Sequence, residues 1–273
     1  MAVTFVRPLR VLVAEDNLVN QMFAARLIER QGHTARVVSN GQLAMDAMRH
    51  EVFDVVLMDL GMPVMDGFET VRELRQLEQQ TGRHLPVIAV TASASAFDRD
   101  KCLAVGMDDF IGKPVQAAEL AAVMARVLQD PAQIIADIEA PSPLATESNG
   151  ALACDLNAAL KRVGGDLNFL KQLGQLFLDT VPEQLQSLGT AMENHNRKLI
   201  SDLAHSIKGS VRHFFAASAH DFAQRLEVIS MTGDIAVIEQ TYERLLHEVE
   251  RLCTELLSML FSLREASPNS GVP

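Results

Sequence analysis

The sequence lacks four things that would each have pointed to a different kind of protein. It holds only three cysteines, Cys102, Cys154 and Cys253, far apart and without a CxxC pair. An odd, scattered set of this kind excludes a disulfide framework and suggests reduced thiols in a cytosolic protein. No run approaches the roughly 18 apolar residues of a membrane span, and the N-terminal MAVTFVRPLR has no apolar signal core. Basic charge is in deficit throughout. Residues 1–130 carry 13 basic and 17 acidic side chains, residues 131–273 carry 11 and 18, and the net charge is −11. Neither part offers the basic surface that phosphate contacts with nucleic acid require, which argues against a DNA-binding output domain. Also missing are a Walker loop, zinc-ligand spacing, a supported Ser-His-Asp pattern, and the Asn-box and glycine clusters of an ATP-binding kinase lid. The chain should therefore not phosphorylate itself from ATP.

What is present is enough apolar sequence, 48%, to build real cores, and a length of 273 residues with room for about two domains. Over 1–129, apolar runs at 9–14, 34–38, 52–58, 86–90 and 107–111 alternate with helical patterns near 18–31, 41–50, 67–80, 97–105 and 116–129. Five such alternations predict an α/β domain with a doubly wound, five-stranded parallel sheet, and the unbroken runs VLVA and VVLM suit strands buried on both faces. Residues 130–153, with PAQIIADIEAPSPLATESNG, read as a linker, within which IIADI could be a short helix. Residues 154–263 show only helical periods, expected at 155–162, 166–192, 195–214, 217–230 and 234–263, and predict an all-α four-helix bundle; residues 264–273 form a tail. Gly233-Asp234 supplies a break and an N-cap before the last helix, and Pro182 is expected to kink its helix or end it early.

Four features end four of the expected strands: Glu15 with Asp16, Asp59, Thr91, and Lys113 before Pro114. In a doubly wound parallel sheet the strand carboxyl ends share one edge. Three carboxylates, a hydroxyl and an ammonium would meet there. Carboxylates about 4 Å apart repel by on the order of 4 kcal/mol at an effective dielectric near 20, before screening. A hard divalent cation such as Mg²⁺, held by Asp16 and Asp59 with Glu15 acting through water, relieves this repulsion. An Asp carboxylate is a weak nucleophile, but phosphoryl transfer mainly needs in-line positioning and neutralised oxygens, which Lys113 and the Thr91 hydroxyl would assist.

In LISDLAHSIKGSVRHFF, Ile200, Leu203, Ile207, Val211 and Phe214 fall within roughly 40° of one helical line, and His205 lies about 160° away, facing solvent. Gly209, one turn on, costs on the order of 1 kcal/mol against alanine inside a helix, and its smallness would let a partner's active site reach the imidazole. Lys208 can offer charge to a phosphoryl group carried on His205. Exposure keeps a neutral imidazole competent as a nucleophile at cellular pH.

The motifs VLVAEDN, VVLMDLGMPVMDG, VIAVTA and DDFIGKP resemble a response-regulator receiver domain across 9–129. The resemblance implies a flavodoxin-like fold with Asp59 as phosphoacceptor, and Glu15, Asp16, Asp59 and the Gly61 carbonyl around Mg²⁺. Thr91 and Lys113 would respond to phosphorylation, and Phe110 takes the place of a switch aromatic. HSIKGS, with LKQLGQLFLDTVPEQL before it and FAQRLE after it, resembles the signature of a histidine phosphotransfer domain over about 155–262. That resemblance implies His205 as a second phosphoacceptor. Phe215 departs from it, since the family commonly has glycine there. Receiver followed by phosphotransfer domain is the tail order of hybrid sensor histidine kinases.

The expected function is a phosphorelay intermediate of a two-component system. Its expected partners are a histidine kinase, or its phosphohistidine-bearing helix, and a downstream receiver, with no nucleic acid and no direct membrane contact. The alternative is a binding module in which Asp59 phosphorylation, through Thr91 and Phe110, switches a surface and His205 is incidental.

Overall fold

A computed structural model describes residues 5, 7–91, 96–128 and 153–265. The chain divides into two compact units, Met1–Pro143 and Leu144–Pro273. The expected linker falls outside the described residues except for Ala153, as do the IIADI helix and most of the expected tail.

In the first unit five strands, β1 (Arg10–Ala14), β2 (Thr34–Val38), β3 (Val55–Asp59), β4 (Val87–Thr91) and β5 (Asp109–Gly112), form one sheet in the order β2-β1-β3-β4-β5, every pair parallel. The helices between and after them are α1 (Leu18–Arg30), α2 (Gly41–His50), α3 (Gly67–Thr81), α4 (Ala96–Val105) and α5 (Ala117–Val127). This is the doubly wound, flavodoxin-like sheet. The interior strands β3 and β4 are buried at every residue and β1 at all but its first, whereas edge strand β2 is only half-buried. Leu12, Ala14, Val56, Met58 and Ala89 pack with Ala44, Met45, Val71, Leu74 and Cys102 in the core beneath α2, α3 and α4.

The third apolar run begins later than expected. Val52 is exposed, and Asp54, whose backbone N–H donates to the Arg10 carbonyl at 2.8 Å, turns its carboxylate back to accept from the Arg10 backbone N–H at 2.7 Å and from Arg7. Pairing therefore starts at Val55, and the strand extends through Asp59.

In the second unit α6 (Leu156–Arg162), α7 (Leu167–Glu193), α8 (Arg197–Val211), α9 (Ala217–Ile229) and α10 (Ile235–Glu265) are joined by short turns. The four long helices pack in a ring, α7 on α8, α8 on α9, α9 on α10 and α10 on α7, closing a bundle around Leu173, Phe177, Ile207, Phe214, Leu226 and Leu252. Asp155, Asp166 and Asn196 cap α6, α7 and α8 with side-chain oxygens, and the Asp234 carboxylate accepts from Ala236 N at 2.9 Å at the start of α10.

Two expectations are narrowed here. Pro182 does not end its helix: α7 continues through it to Glu193. The lost N–H costs about 3 kcal/mol, but Phe177, Val181, Leu188 and Ala191 bury the flanking turns, and that packing carries the helix past the proline. The helix bearing His205 stops at Val211, not Phe214. Arg212–Phe214 tighten into a 3₁₀ turn and Phe215 adopts a left-handed φ of 54°.

All three cysteines are free. No described helix is long and apolar enough to cross a membrane.

Candidate functional sites

The sheet order brings Glu15 and Asp16 after β1, Asp59 at the end of β3, Thr91 at the end of β4 and Lys113 after β5 to one edge. Oxygens of Glu15, Asp16 and Asp59 lie within 4.8 Å of one another. Glu15 and Asp59 are buried, Asp16 only partly. The Lys113 ammonium bridges two of these groups, donating to Asp59 Oδ2 at 2.7 Å and standing 2.8 Å from Glu15 Oε2. Burial alone would lower the pKa of Lys113, but the charges of Asp59 and Glu15 and their contacts with the ammonium outweigh it and hold that pKa above its usual value. Glu15 is raised as well, but for a different reason: burial and the Asp59 charge push it up to about 7 against the pull of Lys113 and Asn20. Three oxygen-donor carboxylates this close, one of them reluctant to ionise, form a donor set suited to a hard divalent cation.

Local sequence explains the placement. Asn17 caps α1 by accepting from Val19 and Asn20 N–H. The cap aims Asn20 Nδ2 at Glu15 Oε1, at 2.7 Å, while Gln21 Nε2 donates to the Glu15 carbonyl at 2.6 Å. Gly67 lets the start of α3 approach the end of β3, since a Cβ there would come within 2.3 Å of the Asp59 carbonyl. Gly61 N–H donates to Asp59 Oδ1 at 3.4 Å. Val64, in the same loop, has φ 71°. Phe110 is half-buried against the α2–α4 core, with the Arg99 guanidinium 5.5 Å from its ring centre.

The second unit holds a separate group of side chains. His205 is not fully open to solvent as expected; its side chain is 30% exposed, and Nδ1 lies 2.7 Å from Glu227 Oε1 on α9. Lys208 does not reach outward. It is buried and donates to the other oxygen of the same carboxylate. The buried stripe of α8 runs through Ile200, Ala204, Ile207, Lys208 and Val211 and leaves Leu203 only half-buried, so the stripe is rotated toward α9 relative to the expected one. Burial would raise the pKa of Glu227, but hydrogen bonds from His205 and Lys208 hold it below the ordinary value. The carboxylate is therefore ionised at neutral pH and can only accept, which assigns the proton to His205 Nδ1 and leaves Nε2 as the basic nitrogen.

Sequence reasoning missed Glu227, Asn20 and Gln21. Glu227 closes the run FAQRLE, yet nothing in its spacing from His205 marks the contact, because it depends on how α8 and α9 lie side by side.

A fold and two sites of this kind define a two-domain phosphorelay protein. The response regulator receiver domain model matches residues 11–125 and the Hpt domain model residues 172–256, so the chain is a receiver domain followed by an Hpt domain. It is 28% identical to sensor protein GacS of Pseudomonas syringae pv. syringae over 81% of this chain and 24% of that one. It is 27% identical to the signal transduction histidine-protein kinase BarA of Shigella flexneri over 92% of this chain and 27% of that one. The chain thus spans about a quarter of the length of these curated relatives. Among solved structures, a receiver domain of a Pseudomonas aeruginosa sensor histidine kinase, described with magnesium in its active-site cleft, is 36% identical with a TM-score of 0.41, covering 45% of this chain and 98% of its own.

Proposed function

We propose that Asp59 accepts a phosphoryl group from a histidine kinase and that His205 carries it onward to a partner receiver. The observation that carries this reading is the convergence of Glu15, Asp16, Asp59 and Lys113 on one sheet edge. Asp16 and Asp59 would hold Mg²⁺, with Glu15 through water and the Gly61 carbonyl as a further ligand. The ion, when bound, neutralises phosphoryl oxygens during transfer. Asp59 attacks phosphorus as its donor's N–P bond breaks, and an acyl phosphate results. Lys113, already within 3 Å of Asp59, then pairs with a phosphoryl oxygen, and the Thr91 hydroxyl donates to another.

At the second site His205 Nε2 attacks phosphorus. The N–P bond forms as the acyl P–O bond breaks, and the aspartate leaves as carboxylate. The positive charge that develops on the ring is offset by Glu227 across the Nδ1–H hydrogen bond, 2.7 Å in the resting protein. Lys208 holds Glu227 in that position, a different role from the direct phosphate contact expected of it.

Labelled acetyl phosphate with Mg²⁺, offered to the parent chain, Asp59→Ala and His205→Gln, tests this reading. The expected result is base-labile label lost with Asp59→Ala, plus acid-labile label that needs both residues. Label confined to Asp59 even with a partner receiver present would favour the phosphorylation-switched binding module.

A further inference from the structure

The loop of residues 60–66 follows Asp59 directly and leads into α3. Both of its ends are tied. Gly67 N–H donates to the Leu60 carbonyl at 3.3 Å, and the buried Thr70 hydroxyl donates to the Asp66 carbonyl at 2.6 Å. Between these ties lies the strained turn of Val64, closed by Met65 N–H on the Pro63 carbonyl at 2.9 Å. A further tie comes from outside the loop. Gly41, the first residue of α2, donates its N–H to the Met65 carbonyl at 3.1 Å. That N–H is one of those at a helix start that have no partner within the helix, and here the loop supplies its acceptor.

The approach of α2 leaves no room for a side chain. A Cβ at Gly41 would lie 1.9 Å from Thr70 Oγ1, 2.7 Å from the Met65 carbonyl oxygen and 2.9 Å from Met65 Cγ. Glycine weakens a helix, and the backbone of Gly41 is not left-handed, so neither helix formation nor conformation calls for it there. Closeness does. Both of the groups it meets lead to Asp66: Met65 precedes it, and the Thr70 hydroxyl donates to its carbonyl. One residue further, Gly67 is bonded to Leu60, between Asp59 and Gly61, and packs so closely on the Asp59 carbonyl that it has no space in which to yield. A displacement at Met65 is therefore passed through Asp66, Gly67 and the Gly67–Leu60 hydrogen bond to the backbone of Asp59 and Gly61.

We infer that Gly41 is a positioning residue of the acidic pocket: its contact with Met65 sets where the β3–α3 loop holds Gly61 beside Asp59, and so how well the pocket takes Mg²⁺. The inference rests on the proposed ligand set of Asp16, Asp59 and the Gly61 carbonyl. Gly61 N–H already stands 3.4 Å from Asp59 Oδ1, so a small shift of the loop is enough to lose that bond. Groups that hold a metal ligand from behind commonly change metal affinity by about tenfold or more when they are altered. Coupling of this kind is reciprocal: a contact that favours the metal-bound arrangement is itself strengthened when the metal binds.

The test titrates Mg²⁺ into the full chain by calorimetry and compares the parent, Gly41→Ala, Thr70→Ala and the double variant. Gly41→Ala should bind Mg²⁺ about tenfold more weakly, with the amide resonance of Gly61 displaced before any metal is added. Thr70→Ala removes the nearest obstacle to a Cβ at position 41 but leaves the Met65 carbonyl. The double variant should therefore lose less stability to urea than the two single changes together, yet still bind Mg²⁺ more weakly than Thr70→Ala alone. A folded Gly41→Ala with parental affinity would overturn the inference. A double variant that binds as tightly as Thr70→Ala would do the same, because the effect would then run through the packing of α3. The unaltered chain supplies a check that needs no variant to fold. Mg²⁺ should slow hydrogen exchange at the Gly41 amide more than at Ala44 of the same helix, and equal slowing would sink the clamp. A parent that takes up no Mg²⁺ at millimolar concentration would refute the ligand set itself, and the role of Gly41 with it.

Discussion

At Val64 a β-branched side chain, 83% exposed, occupies left-handed backbone with φ 71°. Such a residue gains almost nothing from packing there and bears strain on the order of 1 kcal/mol or more. Val64→Asn should therefore raise stability by about 1 kcal/mol, seen as a higher urea midpoint at unchanged slope; an unchanged or lower midpoint would show that the turn is not strained. Nothing in the string PVMDG announces this conformation. Asp59 and Lys113, by contrast, were legible because strand ends are marked by where apolar runs stop, and the topology then does the gathering. Residues that act through a neighbour were not. Asn20 reads as one more polar position of α1 until the Asn17 cap fixes its direction toward Glu15.

Among the elements, α7 and the α8–α9 seam each support a prediction. Pro182 lies exposed in the middle of α7, so Pro182→Ala restores an N–H without opening a cavity. The bundle should gain roughly 1–2 kcal/mol, the helical gain less the stiffness lost from the unfolded chain. A loss on calorimetry would mean that the proline is needed for the helix's path. Sequence rules read proline as a stop because they weigh one hydrogen bond; they do not see four buried neighbours outweighing it.

At the seam, Glu227 has a lowered carboxyl pKa in the folded protein. Its contribution is therefore complete above the unfolded carboxylate pKa and fades as pH falls through the lower folded value. Glu227→Gln should cost about 1–2 kcal/mol at pH 7, and the difference from the parent should shrink as the pH falls below the ordinary carboxylate range. A gap that stays the same size as the pH falls would remove the charge from the account. The stripe of α8 was misplaced for a related reason: helical angle alone counts Leu203 as core, whereas the pairing of Lys208 with Glu227 turns that part of the helix toward α9.

For the whole molecule, two compact units with separate cores should unfold in two steps. Mg²⁺ should raise only the step that belongs to the receiver, by the amount that binding to the folded form alone dictates. Asp59→Ala should abolish most of that rise, while His205→Gln leaves it intact. A common shift of both steps would mean that the units melt together. The order of the units was readable from the change of period, from alternating runs to purely helical ones.

The two sites also differ in how much chain each one needs. The carboxylate pocket draws on residues 15, 59, 91 and 113, at the ends of four strands whose pairings all cross intervening helices. The histidine group draws on 205, 208 and 227, from two successive helices. A growing chain leaving the ribosome can assemble the second from neighbours, but it has no pocket at all until β5 has docked and delivered Lys113. Contacts of such long range form late and are lost together. On the proposed function, a nascent or damaged receiver would offer no competent aspartate, and immature copies would not drain phosphoryl from the pool that working copies share.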